Sequence, residues 1–427
     1  MSTGRMHENQ VFAKCAQRLI PFMILLYLLN FLDRVNVGFA ALTMNKDLGF
    51  TPEVFGFGAG VLFVGYAFFQ LPANMILDRV GARRWIFSIL IVWGLISAGN
   101  AFVTDARTFY LLRFLLGLAE AGFFPGMIYY LTLWFPPSQR ARYVGAFMTA
   151  QPLSFIIGGP LSSFILGMDG VAGLHGWQWL FLIEGLPASL LAFAVLKFLP
   201  DGPAQAEWLS DDEKRTIAAR LATEDASESR TLIPALLDPR VWLLGLVAFG
   251  QNCAAYGVQL WLPQIVQAMG FSIRATGFVV ALPFWGVMAA MVLCGFSSDV
   301  KRERSRHVAV PFFIAACGLA AASVGTSNVI VLAAIMVAVV SIDTGMGVFW
   351  TLPSTFLSAS AAAGGIALIR TISALGAYFG PTIVGVLRQA RGDYSSAMAG
   401  LAAALVMSAA LVLVIGRVMR ARKVQLS

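Results

Sequence analysis

Charge is what this sequence has least of. Only 12% of its 427 residues are Asp, Glu, Lys or Arg, against 58% hydrophobic. A water-soluble chain needs about twice that charge to cover its surface, so soluble domains are excluded and a polytopic membrane protein is expected. Cysteines are few and scattered: Cys15, Cys253, Cys294 and Cys317 contain no CxxC pair, which argues against a disulfide framework or a thiolate metal site. His7, His175 and His307 have no ligand spacing, and no metal is expected. There is no Walker sequence, no nucleophile elbow and no metal cluster, so neither an enzyme nor an ATP-driven pump is expected. No small-residue cleavage pattern precedes the first apolar run, so no cleaved leader is expected.

What is present in abundance is long apolar runs. A membrane helix takes about 20 mostly apolar residues, and twelve stretches qualify: 19–42, 55–77, 85–104, 108–131, 143–167, 178–199, 241–264, 276–297, 308–326, 329–352, 363–387 and 396–417. The fold class expected is all-α, with six helices in 19–199 and six in 241–417. A polar loop, 200–240, joins them, and short tails, 1–18 and 418–427, flank them.

The chain has 30 Lys+Arg against 22 Asp+Glu, and the distribution of the excess sets the orientation. Basic residues crowd the tails and alternate loops, at Arg79, Arg83, Arg84, Arg140, Arg142, Lys301, Arg302, Arg304, Arg306, Arg417, Arg420, Arg422 and Lys423. The opposite loops hold Lys46, Arg107, Arg274, Arg388 and Arg391. By the positive-inside rule both termini are cytoplasmic, and the basicity needs no nucleic acid. In the central loop, Ser210 and Glu213 make a capping box. Ile217 and Leu221 follow at i,i+4, so a short amphipathic helix is expected, either clamping the two halves together or serving as a docking site.

Between the second and third spans stands Asn74-Met-Ile-Leu-Asp78-Arg79-Val-Gly81-Ala-Arg83-Arg84, and after the eighth a weaker copy, Gly295-Phe-Ser-Ser-Asp299-Val-Lys-Arg302. Recurrence of one pattern in both halves points to an internally duplicated transporter. The first span carries Asn30-Phe-Leu-Asp33-Arg34-Val-Asn36, the fourth Arg113-Phe-Leu-Leu-Gly117-Leu-Ala-Glu120 followed by Pro125-Gly126, and the sixth Trp177-Gln-Trp-Leu-Phe-Leu-Ile-Glu184-Gly. On these motifs the chain resembles the anion:cation symporter family of the major facilitator superfamily, from about residue 15 to 420. That family includes bacterial carriers of tartrate, galactonate, glucarate, phthalate and hydroxyphenylacetate.

The loop motif reads as a gate. An acid at a helix end can accept from a neighbouring helix N-terminus, so Asp78, Arg79, Arg83 and Asp299 are the gating candidates. Simple headgroup anchoring is the competing reading for the arginines.

Asp33, Arg34, Arg113, Glu120, Glu184, Asp343 and Arg370 fall inside the spans, where each is costly unless paired or facing water. Arg113 and Glu120, seven apart, share a helix face at about 10 Å, so both are expected to face one cavity. Asp33 and Arg34 diverge by about 100°: one can face the cavity and the other a neighbouring helix. A buried guanidinium stays charged and binds carboxylate through two donors. A carboxyl removed from water more readily holds a proton. Arg34 and Arg113 are therefore expected to bind an anion, with Asp33 and Glu120 carrying the coupling proton; the alternative is a closed structural network of the four. Glu184 is expected to pair structurally.

The resemblance adds Tyr66, Gln151 and Trp350 as polar and aromatic site residues. It departs at two positions: Phe31 stands where a Tyr is usual, and Arg370 where Asn is usual. A third cation and a lost hydroxyl point to a second anionic group on a flat or apolar body, such as an aromatic dicarboxylate like phthalate. A salt bridge from Arg370 to Asp343 is the competing reading. Tyr256, Gln259, Trp261 and Pro263 are either an external gate or interfacial aromatic packing. The expectation is a monomeric proton symporter of a small organic anion in the bilayer of a bacterial inner membrane, with no cofactor beyond the proton. A proton-antiport exporter is its rival.

Overall fold

The computed structural model describes residues 2–222, 237–357 and 359–425. Among the described residues twelve helices are long and apolar enough to cross a membrane, including Glu8–Asp47, Pro52–Gln70, Ala106–Trp134, Arg142–Met168, Pro239–Gln259, Asn328–Phe349 and Gly364–Arg391. Large apolar side chains such as Phe68, Leu190, Phe296 and Val329 point outward. A soluble protein would bury them, and lipid would not.

The first helix, Ser2–Asp47, starts well before the expected span, so the stretch expected as a tail is helical. Its extension is amphipathic: Val11, Cys15 and Leu19 recur at i,i+4 and are buried with Phe12. The central-loop helix, Asp211–Ala222, docks on it. The capping box forms as expected, with the Glu213 N–H donating to Ser210 Oγ at 3.2 Å and the Ser210 N–H donating to Glu213 Oε2 at 2.8 Å. Lys14 Nζ pairs with Glu213 at 2.8 Å and Arg220 with Glu8 at 3.2 Å, while Trp208 stacks on Trp134. These partners all belong to the first half, so the contacts seen here fasten the helix to that half rather than bridging both.

Lys14 and the Ser210 N–H hold the Glu213 carboxyl below its usual range. A carboxyl depressed in the folded state stabilises at pH above the ordinary carboxylate range, and that contribution is lost as pH falls through the folded value. For a half-exposed bridge plus a cap it amounts to about 1 kcal/mol. Glu213→Gln is therefore expected to speed amide exchange across Asp211–Ala222 by about fivefold. Unchanged exchange would show that Ile217 and Trp208 hold the helix alone.

Among the described residues four spans are interrupted, and three of the breaks share a local cause. The fourth-span helix Ala106–Glu120 ends five residues before Pro125, and a new helix, Phe123–Trp134, follows. In the fifth, Pro137–Met148 ends four residues before Pro152. In the seventh, Pro239–Gln259 ends four before Pro263. In the tenth, the helix Asn328–Thr344 stops at Gly345, eight residues before Pro353, so proline does not account for that break. Proline offers no N–H to the carbonyl four residues back, and its ring crowds that carbonyl. The rule is not sufficient, since Pro72, Pro160, Pro187 and Pro283 sit in unbroken helices.

The internal repeat survives in the backbone. Gly81, after the first copy of the loop motif, has φ +85°, and Arg302, the matching position of the second copy, has φ +49°. Both copies turn through a left-handed residue, and a non-glycine there costs about 1–2 kcal/mol.

The halves cross through glycines. A Cβ on Gly56 in the second span would lie 3.0 Å from Gly385 Cα in the eleventh, and one on Gly385 would lie 2.5 Å from the Pro52 carbonyl oxygen. In the fifth and eighth spans, a Cβ on Gly159 or on Gly277 would approach the other's carbonyl oxygen to 2.4 Å. Rings continue the seam, with Phe55 on Trp261 at 4.8 Å, Phe63 on Tyr256 at 4.3 Å and Phe155 on Phe284 at 3.9 Å. These contacts lie at mid-bundle and toward the end of the bundle remote from the termini, so that end is closed.

Candidate substrate site

Between the halves, below that seam, lies a cavity of about 260 Å³. Arg34, Tyr66 and Gln151 reach it from the first half and Trp350 and Arg370 from the second, so five of the six residues expected to bind substrate line one chamber. A larger void, about 610 Å³, opens beside Asp299 and Arg304 at the loop after the eighth span. Its lining comes from the second half alone, which makes it a surface recess rather than a site between rocking halves.

Arg34 projects from the middle of the first helix. Its Nη2 and Nε donate to Glu120 Oε2 at 2.6 and 3.1 Å. Its guanidinium is framed by Phe31, Tyr66 and Phe63 at 5.2, 5.3 and 6.0 Å. Glu120 is the last residue of the fourth-span helix. Glu120 Oε1 is buried without a partner among the described residues, so the acid meets Arg34 with one oxygen only.

Arg113 departs from expectation. It is wholly buried, is absent from the cavity wall, and its Nε, Nη1 and Nη2 have no partner among the described residues. Helical periodicity put Arg113 and Glu120 on one face. It did not show that the second span would cover the upper part of that face, where a Cβ on Gly117 would come within 3 Å of the Leu62 carbonyl carbon.

Asp33 is also outside the chamber. It turns to the third span and accepts from Trp93 Nε1 and Ser97 Oγ, both at 2.5 Å, and from Asn36 Nδ2 at 3.4 Å. The divergence of Asp33 and Arg34 is thus realised, and the four charges form one ion pair rather than a closed network. Glu184 accepts from Ser162 Oγ at 2.7 Å.

Arg370 makes no ion pair with Asp343. It lies over the rings of Phe124 and Trp350 at 4.2 and 4.9 Å, and among the described residues it has no acid within salt-bridge distance. Asp343 instead accepts from Gln251 Nε2 and Gln259 Nε2, both at 3.0 Å. Two seventh-span amides satisfy the acid and leave the arginine open to the chamber.

Among the gating candidates, the side chain of Asp78 lies outside the described residues. Arg79 is exposed in the last turn of its helix. Arg83 reaches Asp201 at 3.4 Å and donates to the Leu196 carbonyl, bonds that stay within the first half. Asp299 is exposed.

The sequence reading missed Gln251 and Asn252 and placed Tyr256 either with a gate or with interfacial packing; all three line the cavity. Their signal was a polar pair in mid-span, followed five residues after Gln251 by a tyrosine. The four breaks would have helped as well, because Glu120, Gln151, Gln259 and Asp343 each stand within three residues of one.

Two six-helix halves around a central polar chamber, with helices interrupted at the chamber wall, define a secondary transporter. The Major Facilitator Superfamily profile matches residues 23–381, and the chain belongs to that family: it is a multi-pass membrane transporter, not an enzyme. A protein of Agrobacterium vitis named "Putative tartrate transporter" is 45% identical over 96% of this chain and 95% of its own length. A "Quinolone resistance transporter" of Acinetobacter baumannii is 40% identical over 92% of this chain and 91% of its own. Among solved structures, a bacterial homolog of the human lysosomal transporter Spinster, in an inward-facing and occupied conformation, superposes with a TM-score of 0.77 at 19% identity, over 93% of this chain and 96% of that one.

Proposed function

We propose that the chain imports an organic carboxylate together with protons across a bacterial inner membrane, with both termini cytoplasmic. The observation that carries this reading is Arg370, a guanidinium in the central chamber over two aromatic rings, with no acid within salt-bridge distance among the described residues. Such a group binds a carboxylate through two parallel donors. The flanking rings favour a flat body, as in an aromatic dicarboxylate such as phthalate; tartrate, sugar acids and hydroxyphenylacetate are the neighbouring possibilities.

Arg34 is the second anion receptor, and Glu120 controls it. Ionised Glu120 occupies two of the Arg34 donors. A proton on Glu120 weakens that pair and turns the Arg34 fork toward substrate, so proton and anion enter together. Asp33, held by Trp93 and Ser97, is the second acid that can take up a proton within the same half. The closed end remote from the termini, together with the basic loops at the other, supports reading this as an inward-facing arrangement. Arg79, Arg83, Asp78 and Asp299 would close the basic end in the opposite state.

The test is uptake into proteoliposomes from a carboxylate panel under an imposed pH gradient. One pH unit is about 1.4 kcal/mol per proton, enough for about tenfold accumulation. Glu120→Gln should abolish that accumulation while equal-concentration exchange continues. Uptake indifferent to the gradient in the unaltered protein would end the symport reading. The quinolone-named relative favours a second reading, proton-driven export. A quinolone also carries a carboxylate, so the direction of movement under the gradient separates the two.

A further inference from the structure

The chamber of this transporter is not uniformly cationic. Asp343 lies in the tenth span two residues before the break at Gly345, 7% exposed, and lines the same cavity as Arg370. Its oxygens are held from one side. Oδ1 takes the Gln251 amide and Oδ2 the Gln259 amide, so the seventh span fixes the plane of the carboxyl. Each carboxylate oxygen can accept about two hydrogen bonds, which leaves one site on each. Among the described residues Asp343 forms no ion pair, and neither amide needs its proton. An acceptor of this kind, locked in place and facing the space a substrate fills, is matched by a donor on the substrate.

We propose that Asp343 is a specificity residue that selects, among carboxylates, those also bearing a hydrogen-bond donor, a hydroxyl or an ammonium, away from the carboxylate that Arg370 receives. The proposal rests on the carboxylate reading above and narrows it. Arg370 and Asp343 give the chamber one cationic and one anionic pole. A carboxylate with no donor would cover the remaining acceptor sites of Asp343 and leave them unpaired, and a second carboxylate turned that way would meet like charge. A hydroxyl or ammonium there fills both needs. Sites built to bond a substrate hydroxyl reject the analogue lacking it far more strongly than apolar pockets reject a missing methylene. Hydrogen bonds to a charged group correspond to about 10- to 100-fold in affinity.

Calorimetry on the purified full chain tests this with matched probes: malate against succinate, 4-hydroxyphthalate against phthalate, and aspartate against succinate. The last pair separates ammonium from hydroxyl. The donor-bearing member of at least one pair should bind about 10- to 100-fold more tightly, and Asp343→Asn should shrink the ratio to about threefold or less. Equal affinities within every pair in the unaltered protein would overturn the proposal while leaving the carboxylate reading in place. So would a preference that survives Asp343→Asn. If no probe binds, the carboxylate reading fails and this inference fails with it. Should Asp343→Asn not fold, the ratios of the unaltered protein alone decide.

Discussion

Arg370→Asn should weaken substrate binding by roughly 30- to 3,000-fold, the equivalent of the 2–5 kcal/mol lost when one partner of a buried charge pair is removed. The effect should fall on affinity, with little change in the amount of folded protein, because Arg370 anchors no other side chain by an ion pair among the described residues. Its packing partners are the faces of Phe124 and Trp350. Arg370→Lys should recover only part of the loss: it keeps the charge but not the planar fork. Equilibrium binding of the best carboxylate to the three proteins measures this. The variant should also lose the distinction between mono- and dicarboxylates. If that distinction stays as it was, Arg370 is not the substrate's receptor, and the chamber recognises its cargo elsewhere.

The second large effect concerns Arg113 and combines two opposite outcomes. A guanidinium buried with three nitrogens unpartnered is an expensive feature, since burying a charge costs several kcal/mol unless partners compensate. Arg113→Met fills similar space without that cost. Replacing buried charge by apolar side chains is often neutral or stabilising by about 1–4 kcal/mol, so the variant should melt at a higher temperature, by several degrees. Transport should be lost. The reason is Glu120, two turns away on the same helix: on the symport reading, when it gives up its proton while substrate still holds Arg34, Arg113 is the cation left to stabilise its carboxylate. A residue that destabilises one state in order to stabilise another is what a two-state carrier requires. Thermal unfolding and uptake on the same preparation test both halves. A lower melting temperature would mean that Arg113 is satisfied where it stands; full transport would mean that it takes no part in the cycle.

The positions of the two arginines show how far the sequence could be read. Arg34 and Arg370 were identifiable because a charged side chain in mid-span must face something other than lipid, whereas Tyr66, Gln151 and Trp350 came from the resemblance; all five line the chamber. The twelve spans were legible for a similar reason, since helix length and hydropathy are properties of a segment alone. Arg113 obeyed the same rule, yet its placement depended on which neighbour covers each sector of its helix, and periodicity carries no information about neighbours. The Arg370–Asp343 question had the same character. Both residues were visible as charges on adjacent spans, but Gln251 and Gln259, which decide against the bridge, lie on a third. The clamp expected of the central helix turned instead on Glu8 and Lys14, in a stretch that composition alone marked as a tail.

The seal at the end remote from the termini has a character of its own. Its parts are Gly56 against Gly385, Gly159 against Gly277, and aromatic pairs such as Phe55 with Trp261, and none of these carries a formal charge. They hold by close contact of main chain and ring faces, forces that dissolved ions scarcely screen. The opposite mouth is crowded with arginines. Ionic strength and the headgroup composition of the surrounding lipid should therefore weigh more heavily on one end of the carrier than on the other, where Arg388 over Trp261 is the nearest cation to the seal.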